Sequence, residues 1–353
     1  LIGPGLIGST LLEQLSDQKH FLQESLGVDF RLRAIANSRK MLLTEQSINL
    51  QTWKSQLESE GVPFDMEAFI SHLRSDSIPH SVMVDCTASS VVSEFYPEVL
   101  SRGIHIVTPN KRANSGPLPL YQAIQNCTKK NQVHYLYEAT VGAGLPLVNT
   151  LKELILTGDK LLKIEGILSG TLSYLFNSYD GEKAFSQLVF EARSKGYTEP
   201  DPREDLSGLD VARKLVILAR EAQIEIELND VKIESLIPLE LRNVDYEQFV
   251  DKFPLYDQAM KERYLEARKK GQVLRYIGRV DKEKGAEVSL RSVPEQDIYS
   301  SIVGTDNLIA FSTQRYLAQP LIVQGPGAGP DVTAGGVFAD LLRLAYYLGA
   351  SIR

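Results

Sequence analysis

Short apolar runs alternate with segments of helical spacing along the first part of the chain. Four runs have the length and composition of strands, at 30–36, 82–86, 105–108 and 133–137. The stretches between them carry helical spacing, for example 65–75, 91–102 and 117–131. Strands that alternate with helices predict an α/β fold with a doubly wound parallel sheet.

A glycine-rich turn opens the first helical stretch. The run Gly3-Pro4-Gly5-Leu6-Ile7-Gly8 matches the GxGxxG pattern, whose glycines allow a tight turn and close approach of backbone N–H groups to a pyrophosphate. The pattern alone is weak, but the strands that follow it strengthen the prediction of a Rossmann-like dinucleotide site. Only Leu1 and Ile2 precede a turn that needs a full strand before it, so we expect further residues upstream.

Polar segments follow three of the predicted strands, at the carboxyl ends where such sheets bind ligands. They are Asn37-Ser38-Arg39-Lys40, Thr87-Ala88-Ser89-Ser90 and Pro109-Asn110-Lys111. The first has two cations and no acid, which favours the 2′-phosphate of NADP, with NAD and a solvated basic turn as alternatives. Lys111 is predicted to project near the nicotinamide, and a surface lysine in a basic loop is the alternative.

The later part of the chain predicts a second, mixed α+β domain. Its predicted strands are 160–168, 273–281, 286–292, 308–312 and 321–324. Its predicted helices are 147–157, 184–195, 208–222 and 257–270. A last helix over 334–348 follows a second glycine turn, in which Gly327 and Gly329 either return the chain to the cofactor or make a simple left-handed connection. We predict a nucleotide-binding domain of residues 1–144 plus 325–353, and a substrate-binding and dimerisation domain of residues 145–324.

The run 196–214 concentrates five carboxylates in a loop stiffened by two prolines, and the loop leads into a helix. Ser207 is the predicted N-cap of that helix. Asp210 and Lys214 share a narrow polar side one turn apart, which makes Lys214 a candidate proton donor. The alternative is a capping box of Ser207 and Asp210 together with a helix ion pair.

The acids in this run repel one another unless a positive group lies among them. A substrate ammonium would meet that requirement. A further oxygen-rich segment, Glu138 to Pro146, places a carboxylate before glycines that let backbone carbonyls converge. Oxygen ligands suit a hard cation, although a plain glycine hinge between domains is the interpretation that the sequence alone favours.

Composition narrows the class of ligand. The 353 residues carry a net charge of −7 and contain no apolar run of membrane-spanning length, no signal peptide and no basic block. We therefore expect a cytoplasmic protein with a small-molecule substrate, and no nucleic acid or membrane partner. Cys86 and Cys127 lack disulfide or zinc spacing, and the five histidines fall in no metal or triad motif, so lysine is the leading acid/base candidate.

Together these segments resemble those of homoserine dehydrogenases through essentially the whole chain. The matching motifs are GPGLIG, ANSR, VDCTASS, TPNKRAN, EATVGAGLP, ILSGTLSY, GYTEPDPREDLSGLDVARK and GPGAGPDVTAGGVFADLL. In detail the chain is most similar to the dehydrogenase region of bifunctional aspartokinase–homoserine dehydrogenases. The resemblance implies a fragment with an aspartokinase fused upstream, and an independent short enzyme is the alternative.

The resemblance also implies an activity: NAD(P)-dependent interconversion of L-aspartate 4-semialdehyde and L-homoserine, in threonine, methionine and isoleucine biosynthesis. A homodimer or larger homo-oligomer is expected. The implied catalytic residues are Lys111, Lys214 and Asp210, and the implied substrate residues are Thr171, Tyr197, Glu199 and Asp205. A monovalent cation, usually sodium, is expected on Glu138 and the carbonyls of Val141, Ala143 and Leu145.

Two other functions fit the same motifs. A catalytically silent nucleotide-binding module would regulate a partner, but the presence of Lys111, Asp210 and Lys214 argues against it. A dehydrogenase for a different semialdehyde would act on another substrate and not on homoserine.

Overall fold

The computed structural model describes residues 1–74 and 79–350. The described chain forms two compact units, one within Leu1–Gly144 and Gly329–Arg353 and the other of Leu145–Ala328. The sequence-based boundary falls earlier, at residue 325. Residues 321–326 form a strand that pairs with 306–313, which is why this segment stays with the second unit.

The regular elements are numbered in chain order. The helices of the described residues are α1 (Leu6–Leu26), α2 (Trp53–Glu60), α3 (Met66–Leu73), α4 (Ser90–Glu94), α5 (Tyr96–Ser101), α6 (Arg112–Ser115), α7 (Leu118–Asn131), α8 (Val148–Leu156), α9 (Gly170–Ser178), α10 (Phe185–Ser194), α11 (Arg203–Leu206), α12 (Leu209–Glu221), α13 (Tyr246–Lys252), α14 (Asp257–Lys269) and α15 (Pro330–Tyr347). The strands are β1 (Ala34–Ala36), β2 (Lys40–Leu43), β3 (Val62–Pro63), β4 (Val82–Val84), β5 (His105–Val107), β6 (Tyr135–Leu136), β7 (Leu161–Ile167), β8 (Lys232–Ile233), β9 (Gln272–Asp281), β10 (Gly285–Pro294), β11 (Asp306–Thr313) and β12 (Leu321–Pro326).

A parallel sheet organises the first unit. Strands β4, β5 and β6 pair in parallel and in sequence order. Ile2 extends the pairing, because it bridges Asp85 on one side and Ala36 of β1 on the other, both in parallel. The strands are short and mostly buried, as is typical of a parallel sheet in an α/β protein. The predicted N-terminal α/β fold with a parallel sheet is confirmed.

Three details of the first unit differ from the prediction. The expected strand 30–36 is regular only in β1, which then folds back antiparallel onto β2 and, through it, β3. The expected helix 91–102 is interrupted at Phe95, because Pro97 lies in the first turn of α5 and a proline cannot occupy a helix interior. The expected helix 65–75 is α3, which ends at Leu73, and Ser75 lies outside the described residues.

The last helix completes the core of the first unit. Helix α15 packs against α1, so that Leu11, Leu12 and Leu15 share one buried cluster with Val337 and Leu341. Residues from the end of the chain therefore support the helix that follows the first glycine turn.

The second unit is built on a six-stranded sheet in the order β12-β11-β7-β9-β10-β8. All neighbours pair antiparallel except β8 and β10, which are parallel. Helix α12 packs on β9 at Gly278, where a Cβ would lie 3.0 Å from both Val211 Cγ1 and Leu215 Cδ1. The predicted mixed α+β domain is confirmed, and α12 lies against a central strand.

Candidate active site

The loop that enters α12 is shaped by a glycine. Gly208, not Ser207, precedes the helix, and its backbone is left-handed with φ of +74°. A Cβ at this position would overlap the hydroxyl of Tyr276, which donates a hydrogen bond to the Glu234 carbonyl at 2.7 Å. The predicted Ser207 N-cap is wrong, because the junction between α11 and α12 needs a backbone conformation that glycine adopts readily. Ser207 instead ends α11.

Lys214 is the buried cation of this run. Its side chain is 10% exposed, its Nζ donates to the Leu168 carbonyl at 2.6 Å, and it lies 2.9 Å from Asp210 Oδ2. Leu168 directly follows the central strand β7, so a rigid element fixes one of the two contacts. An ammonium has three N–H donors, and these contacts leave one for a substrate oxygen. The burial and the carbonyl contact distinguish this pair from an ordinary surface ion pair between successive helical turns.

A cluster around Asp205 lies in the same unit. The hydroxyl of Thr171, in the first turn of α9, lies 2.7 Å from the Tyr197 carbonyl oxygen and 2.8 Å from Asp205 Oδ1. The backbone N–H of Glu199 donates to Asp205 Oδ2 at 2.8 Å. Burial raises the pKa of Asp205 above its ordinary value, and the nearby charges of Glu199 and Asp210 raise it further. A bound cation would relieve that repulsion.

The remaining acids of the run have different surroundings. Asp201 forms an ion pair with Arg203 at 2.6 Å, and Arg203 also donates to the Val244 carbonyl at 2.6 Å. Asp201 therefore stabilises the loop, whereas Glu204 is exposed. The structure thus brings four predicted substrate residues together and leaves these two acids outside the cluster.

In the first unit, the glycine turn is tightly packed. Gly3 has φ of +82°, and a Cβ there would lie 2.6 Å from Thr87 Cγ2. A Cβ at Gly8 would overlap the Gly3 carbonyl oxygen, while Gly5 precedes α1 with open space beside it. Two further residues of the motif lie in the first turn of α1: Leu6, which is exposed, and Ile7, which is half-buried. Packing against the backbone and Thr87 therefore requires glycine at positions 3 and 8, the first and third glycines of the motif.

The turn after β1 places its two cations, Arg39 and Lys40, in different surroundings. The side-chain oxygen of Asn37 accepts hydrogen bonds from the backbone N–H groups of Arg39 and Lys40, both at 2.8 Å. Lys40 Nζ donates to the Glu58 carbonyl at 2.6 Å. Ser38 and Arg39 are exposed at the tip of the turn. Arg39 is therefore the better placed of the two cations for a phosphate.

A buried acid that the sequence analysis did not identify organises the next two strand ends. Asp85 is fully buried and accepts hydrogen bonds from Tyr96 Oη at 2.6 Å, Asn110 Nδ2 at 2.9 Å and the Thr87 backbone N–H at 2.8 Å. Burial raises its pKa. Two further candidate cofactor-binding residues lie in this loop after Thr87. Ala88 is exposed, and the Ser89 hydroxyl accepts a hydrogen bond from the Val92 N–H at 3.3 Å. The sequence did contain a signal for this residue, since Asp85 is an acid within an otherwise apolar predicted strand.

Lys111 directly follows Asn110, which is part of this hydrogen-bond network. Asn110 Oδ1 accepts a hydrogen bond from the Arg112 backbone N–H at 2.9 Å, and the Lys111 carbonyl accepts one from Ser115 Oγ at 2.8 Å. Lys111 is half-buried and precedes α6. The network around Asp85 therefore fixes the backbone from which Lys111 projects.

The candidate cation segment packs under α15. Glu138 is buried, and its backbone N–H donates a hydrogen bond to Asp340 Oδ2 at 2.8 Å. Burial raises the pKa of Asp340 to about 6. Ala143 has φ of +55°, and a Cβ at Gly336 would lie 2.7 Å from its carbonyl oxygen. The other candidates are Val141, which is buried after the turn that begins at Glu138, and Leu145, the first residue of the second unit.

The two candidate glycines near the end of the chain belong to different units. Gly327 lies in the second unit against Asn307, and Gly329 precedes α15 in the first unit with φ of +120°. In the part of the chain that the structure describes, no group of three or more His, Cys, Asp or Glu side chains is arranged to hold a metal ion. None of the described helices combines the length and apolar character needed to cross a membrane.

Comparisons with known proteins show similarity along nearly the whole chain. The family model for the NAD-binding domain of homoserine dehydrogenase matches residues 3–138, and the homoserine dehydrogenase model matches residues 146–342. The chain is 51% identical to chloroplastic bifunctional aspartokinase/homoserine dehydrogenase 1 of Arabidopsis thaliana, over 99% of this chain and 39% of the relative. It spans about two fifths of the length of the curated relatives that it matches.

Two solved structures share the fold. A crystal structure of a Candida auris protein of unknown function is 36% identical, with a TM-score of 0.90 over 98% of this chain and 96% of that one. A putative homoserine dehydrogenase from Archaeoglobus fulgidus is 26% identical, with a TM-score of 0.79 over 99% and 98%.

Proposed function

Because the chain belongs to the homoserine dehydrogenase family, we propose that it interconverts L-aspartate 4-semialdehyde and L-homoserine by hydride transfer in the aspartate pathway. The observation that carries the proposal is the arrangement in the second unit. One loop and helix supply both a buried lysine with an available N–H, Lys214, and an acidic cluster around Asp205. This combination suits a substrate with a reacting oxygen and an ammonium group.

The proton step is assigned to Lys214. The bound nicotinamide supplies or accepts the hydride. In the reductive direction, negative charge develops on the carbonyl oxygen, and an N–H of Lys214 donates its proton to that oxygen. The Leu168 carbonyl and Asp210 hold Nζ in place before the transfer, and Asp210 favours the return of a proton afterwards. Lys111 remains the second predicted catalytic lysine.

Substrate binding is assigned to Glu199 and Asp205, whose carboxylates would attract the substrate ammonium. The Thr171 hydroxyl and the Glu199 backbone N–H contact the two carboxyl oxygens of Asp205 and fix their orientation. Because the pKa of Asp205 is raised, cation binding would draw it toward the ionised form.

The nicotinamide cofactor is assigned to the first unit, in keeping with its NAD-binding family match. Gly3, Gly5 and Gly8 would bring backbone N–H groups to the pyrophosphate. The exposed Arg39 beside the Asn37 turn supports a preference for NADP over NAD.

A monovalent cation, sodium in the first instance, is assigned to Glu138 and to backbone carbonyls of the segment that follows it. The donor set fits a hard cation, since a buried carboxylate is followed by residues whose positive φ values, at Gly142 and Ala143, redirect the backbone. Val141 and Ala143 would contribute carbonyl oxygens, and the Leu145 carbonyl remains a prediction. Such an ion would add positive charge beside Glu138 and hold this segment in shape.

The relatives bear on two properties of the whole protein, its fused domains and its cellular location. The curated relatives are described as bifunctional with aspartokinase, which supports a fused kinase region in the whole protein. The plant relatives are described as chloroplastic, so the expected cytoplasmic location stays a prediction, as does the homo-oligomer.

The direct test is a spectrophotometric assay of the purified chain with L-homoserine and NADP⁺ or NAD⁺. We expect homoserine-dependent formation of reduced cofactor, with NADP⁺ preferred. Activity confined to another hydroxy amino acid would favour a different semialdehyde dehydrogenase. Cofactor binding without turnover of any such substrate would support a silent module.

A further inference from the structure

Asp85 is a buried acid that the proposed mechanism does not use. It directly follows β4 and is fully buried. Three uncharged donors contact its carboxyl group. The Tyr96 hydroxyl and the Asn110 side-chain amide contact Oδ2 at 2.6 and 2.9 Å, and the Thr87 backbone N–H contacts Oδ1 at 2.8 Å.

These hydrogen bonds suit the ionised form of Asp85. A side-chain amide N–H and a backbone N–H can only donate, so a neutral carboxylic acid could give its own proton only to the Tyr96 hydroxyl. The ionised acid accepts all three hydrogen bonds. Burial nevertheless makes the ionised form costly, because none of these donors carries a formal positive charge, and the pKa of Asp85 is raised. A positive charge that arrives with a ligand would offset that cost.

The order of the parallel strands places Asp85 on one side of the first glycine turn. Ile2, just before the turn, bridges Ala36 on one side and Asp85 on the other. In doubly wound sheets, the two halves of a dinucleotide bind on opposite sides of this point. The Ala36 side leads into the turn with Arg39, to which the 2′-phosphate of the adenosine half is assigned. The nicotinamide half therefore belongs to the side of Asp85.

The contacts of Asp85 and of the loop after it reach both neighbouring segments. A Cβ at Gly3 would lie 2.6 Å from Thr87 Cγ2, so the glycine turn packs directly on the loop that follows Asp85. On the other side, Asn110 lies just after β5 and donates to the Asp85 carboxylate. All of these residues belong to the first unit. The charge of Asp85 therefore lies among the strand ends to which the nicotinamide half is assigned.

We propose that the buried Asp85 carboxylate favours binding of the oxidised cofactor over the reduced cofactor. The nicotinamide ring carries a positive charge in NADP⁺ and is neutral in NADPH, so a buried negative charge stabilises only the bound oxidised form. The effect acts through space and needs no contact between Asp85 and the cofactor. The inference rests on the proposed function, because it takes the nicotinamide cofactor to bind the first unit. It gives a reason for an acid at a buried strand end.

The test is the ratio of the dissociation constants for NADP⁺ and NADPH in wild type, Asp85→Asn, Asp85→Ser and Tyr96→Phe. Both replacements of Asp85 are uncharged. The asparagine oxygen can keep the contacts with Tyr96 and Asn110, and the serine hydroxyl can accept the Thr87 N–H. Tyr96→Phe is the control, because it removes one hydrogen bond and keeps the charge. Titration by NADPH fluorescence, with NADP⁺ as competitor, gives both constants, and thermal unfolding shows which variants are folded.

We expect the uncharged variants to weaken NADP⁺ binding by about tenfold more than NADPH binding. A change in loop shape weakens both forms alike and cancels in the ratio, so Tyr96→Phe should keep the wild-type ratio. An unchanged ratio in a folded uncharged variant would overturn the inference and make Asp85 a purely structural residue. An equal change of the ratio in Tyr96→Phe would also overturn it, since the hydrogen bonds and not the charge would then be responsible.

The outcome is separable from that of the proposed function, because the titrations contain no homoserine. If the wild-type chain binds both cofactor forms but does not oxidise homoserine, the proposed activity fails and the ratio still tests Asp85. If the chain binds neither form, the assignment of the cofactor to the first unit fails, and the inference fails with it.

Discussion

In the first unit the candidate groups are placed by backbone shape, whereas in the second unit they are charged side chains on a loop and helix. The glycine turn at Gly3 to Gly8 and the neutral hydrogen-bond donors around Asp85 have little freedom to change without disturbing packing. Lys214 and Asp205 have contacts that a shortened side chain could lose while the fold persists. Substitutions of these packed groups in the first unit should therefore change stability and binding together, whereas substitutions of Lys214 and Asp205 in the second should change turnover or substrate binding with less effect on stability.

The largest effect is expected at Lys214. Replacing it with alanine removes the proton donor, so kcat should fall by about 10²- to 10⁴-fold while KM for homoserine changes far less. Steady-state kinetics with homoserine and NADP⁺ measure this. The exposed Lys261→Met, in the same unit, is the matched control and should keep wild-type kinetics. An unchanged kcat in Lys214→Ala, with only KM raised, would reassign the proton to another group.

Gly8→Ala should produce the largest effect in the first unit. The new methyl group collides with the Gly3 carbonyl, so we expect unfolding to become easier by about 1–3 kcal/mol, along with weaker cofactor binding. Gly335→Ala is the control, because nothing lies within 4 Å of its Cβ, and alanine should stabilise α15 by about 0.5–1 kcal/mol. Thermal unfolding with and without NADPH compares the two. If Gly8→Ala weakened binding at unchanged stability, the proposed difference between the units would not hold.

His105 gives the first unit a pH dependence. Its Nδ1 accepts a hydrogen bond from the His134 backbone N–H at 2.9 Å, and burial, followed by the nearby His134 and His80, lowers its pKa to about 4. Below the ordinary pKa of about 6.5, the unfolded chain takes up the proton while the native histidine stays neutral, so stability falls as pH falls toward 4.

The expected loss attributable to His105 between pH 7 and pH 4 is on the order of 2–3 kcal/mol. Asn supplies an acceptor oxygen near the Nδ1 position, so His105→Asn should remove this part of the pH dependence. Chemical denaturation at several pH values measures it. Parallel pH profiles for the two proteins would show that His105 is not the responsible group.

The smallest effect is expected at Arg39. Because its side chain is exposed, loss of a phosphate contact in Arg39→Ala should reduce the preference for NADPH over NADH by about tenfold or less. Stability should not change. The ratio of kcat/KM for the two cofactors is the readout, and an unaltered ratio would remove Arg39 from the 2′-phosphate site.

Features visible in the sequence are those that depend on neighbours along the chain. The GxGxxG turn, the alternation of strands and helices, and the spacing of Asp210 and Lys214 are local, and the structure has each of them. The pairing of β2 with β3 and the hydrogen bond that joins Asp85 to Asn110 depend on contacts between segments that are distant in the chain. Local spacing carries no information on such partners.

The junction before α12 shows the same limit. Ser207 satisfied the local preference for a helix N-cap, but packing against Tyr276 requires glycine with positive φ at position 208. Asn307 was likewise invisible, because its relation to Gly327 exists only after β11 and β12 pair. Tertiary packing decided both positions.

The most direct test of the central claim is the discrimination between L-homoserine and its deaminated analogue, 4-hydroxybutanoate, in wild type and Asp205→Asn. If Asp205 binds the substrate ammonium, kcat/KM for homoserine should fall by about tenfold or more, while the low activity with the analogue stays nearly unchanged. Equal losses on both substrates, at an unchanged unfolding temperature, would contradict the assignment of this cluster to the ammonium.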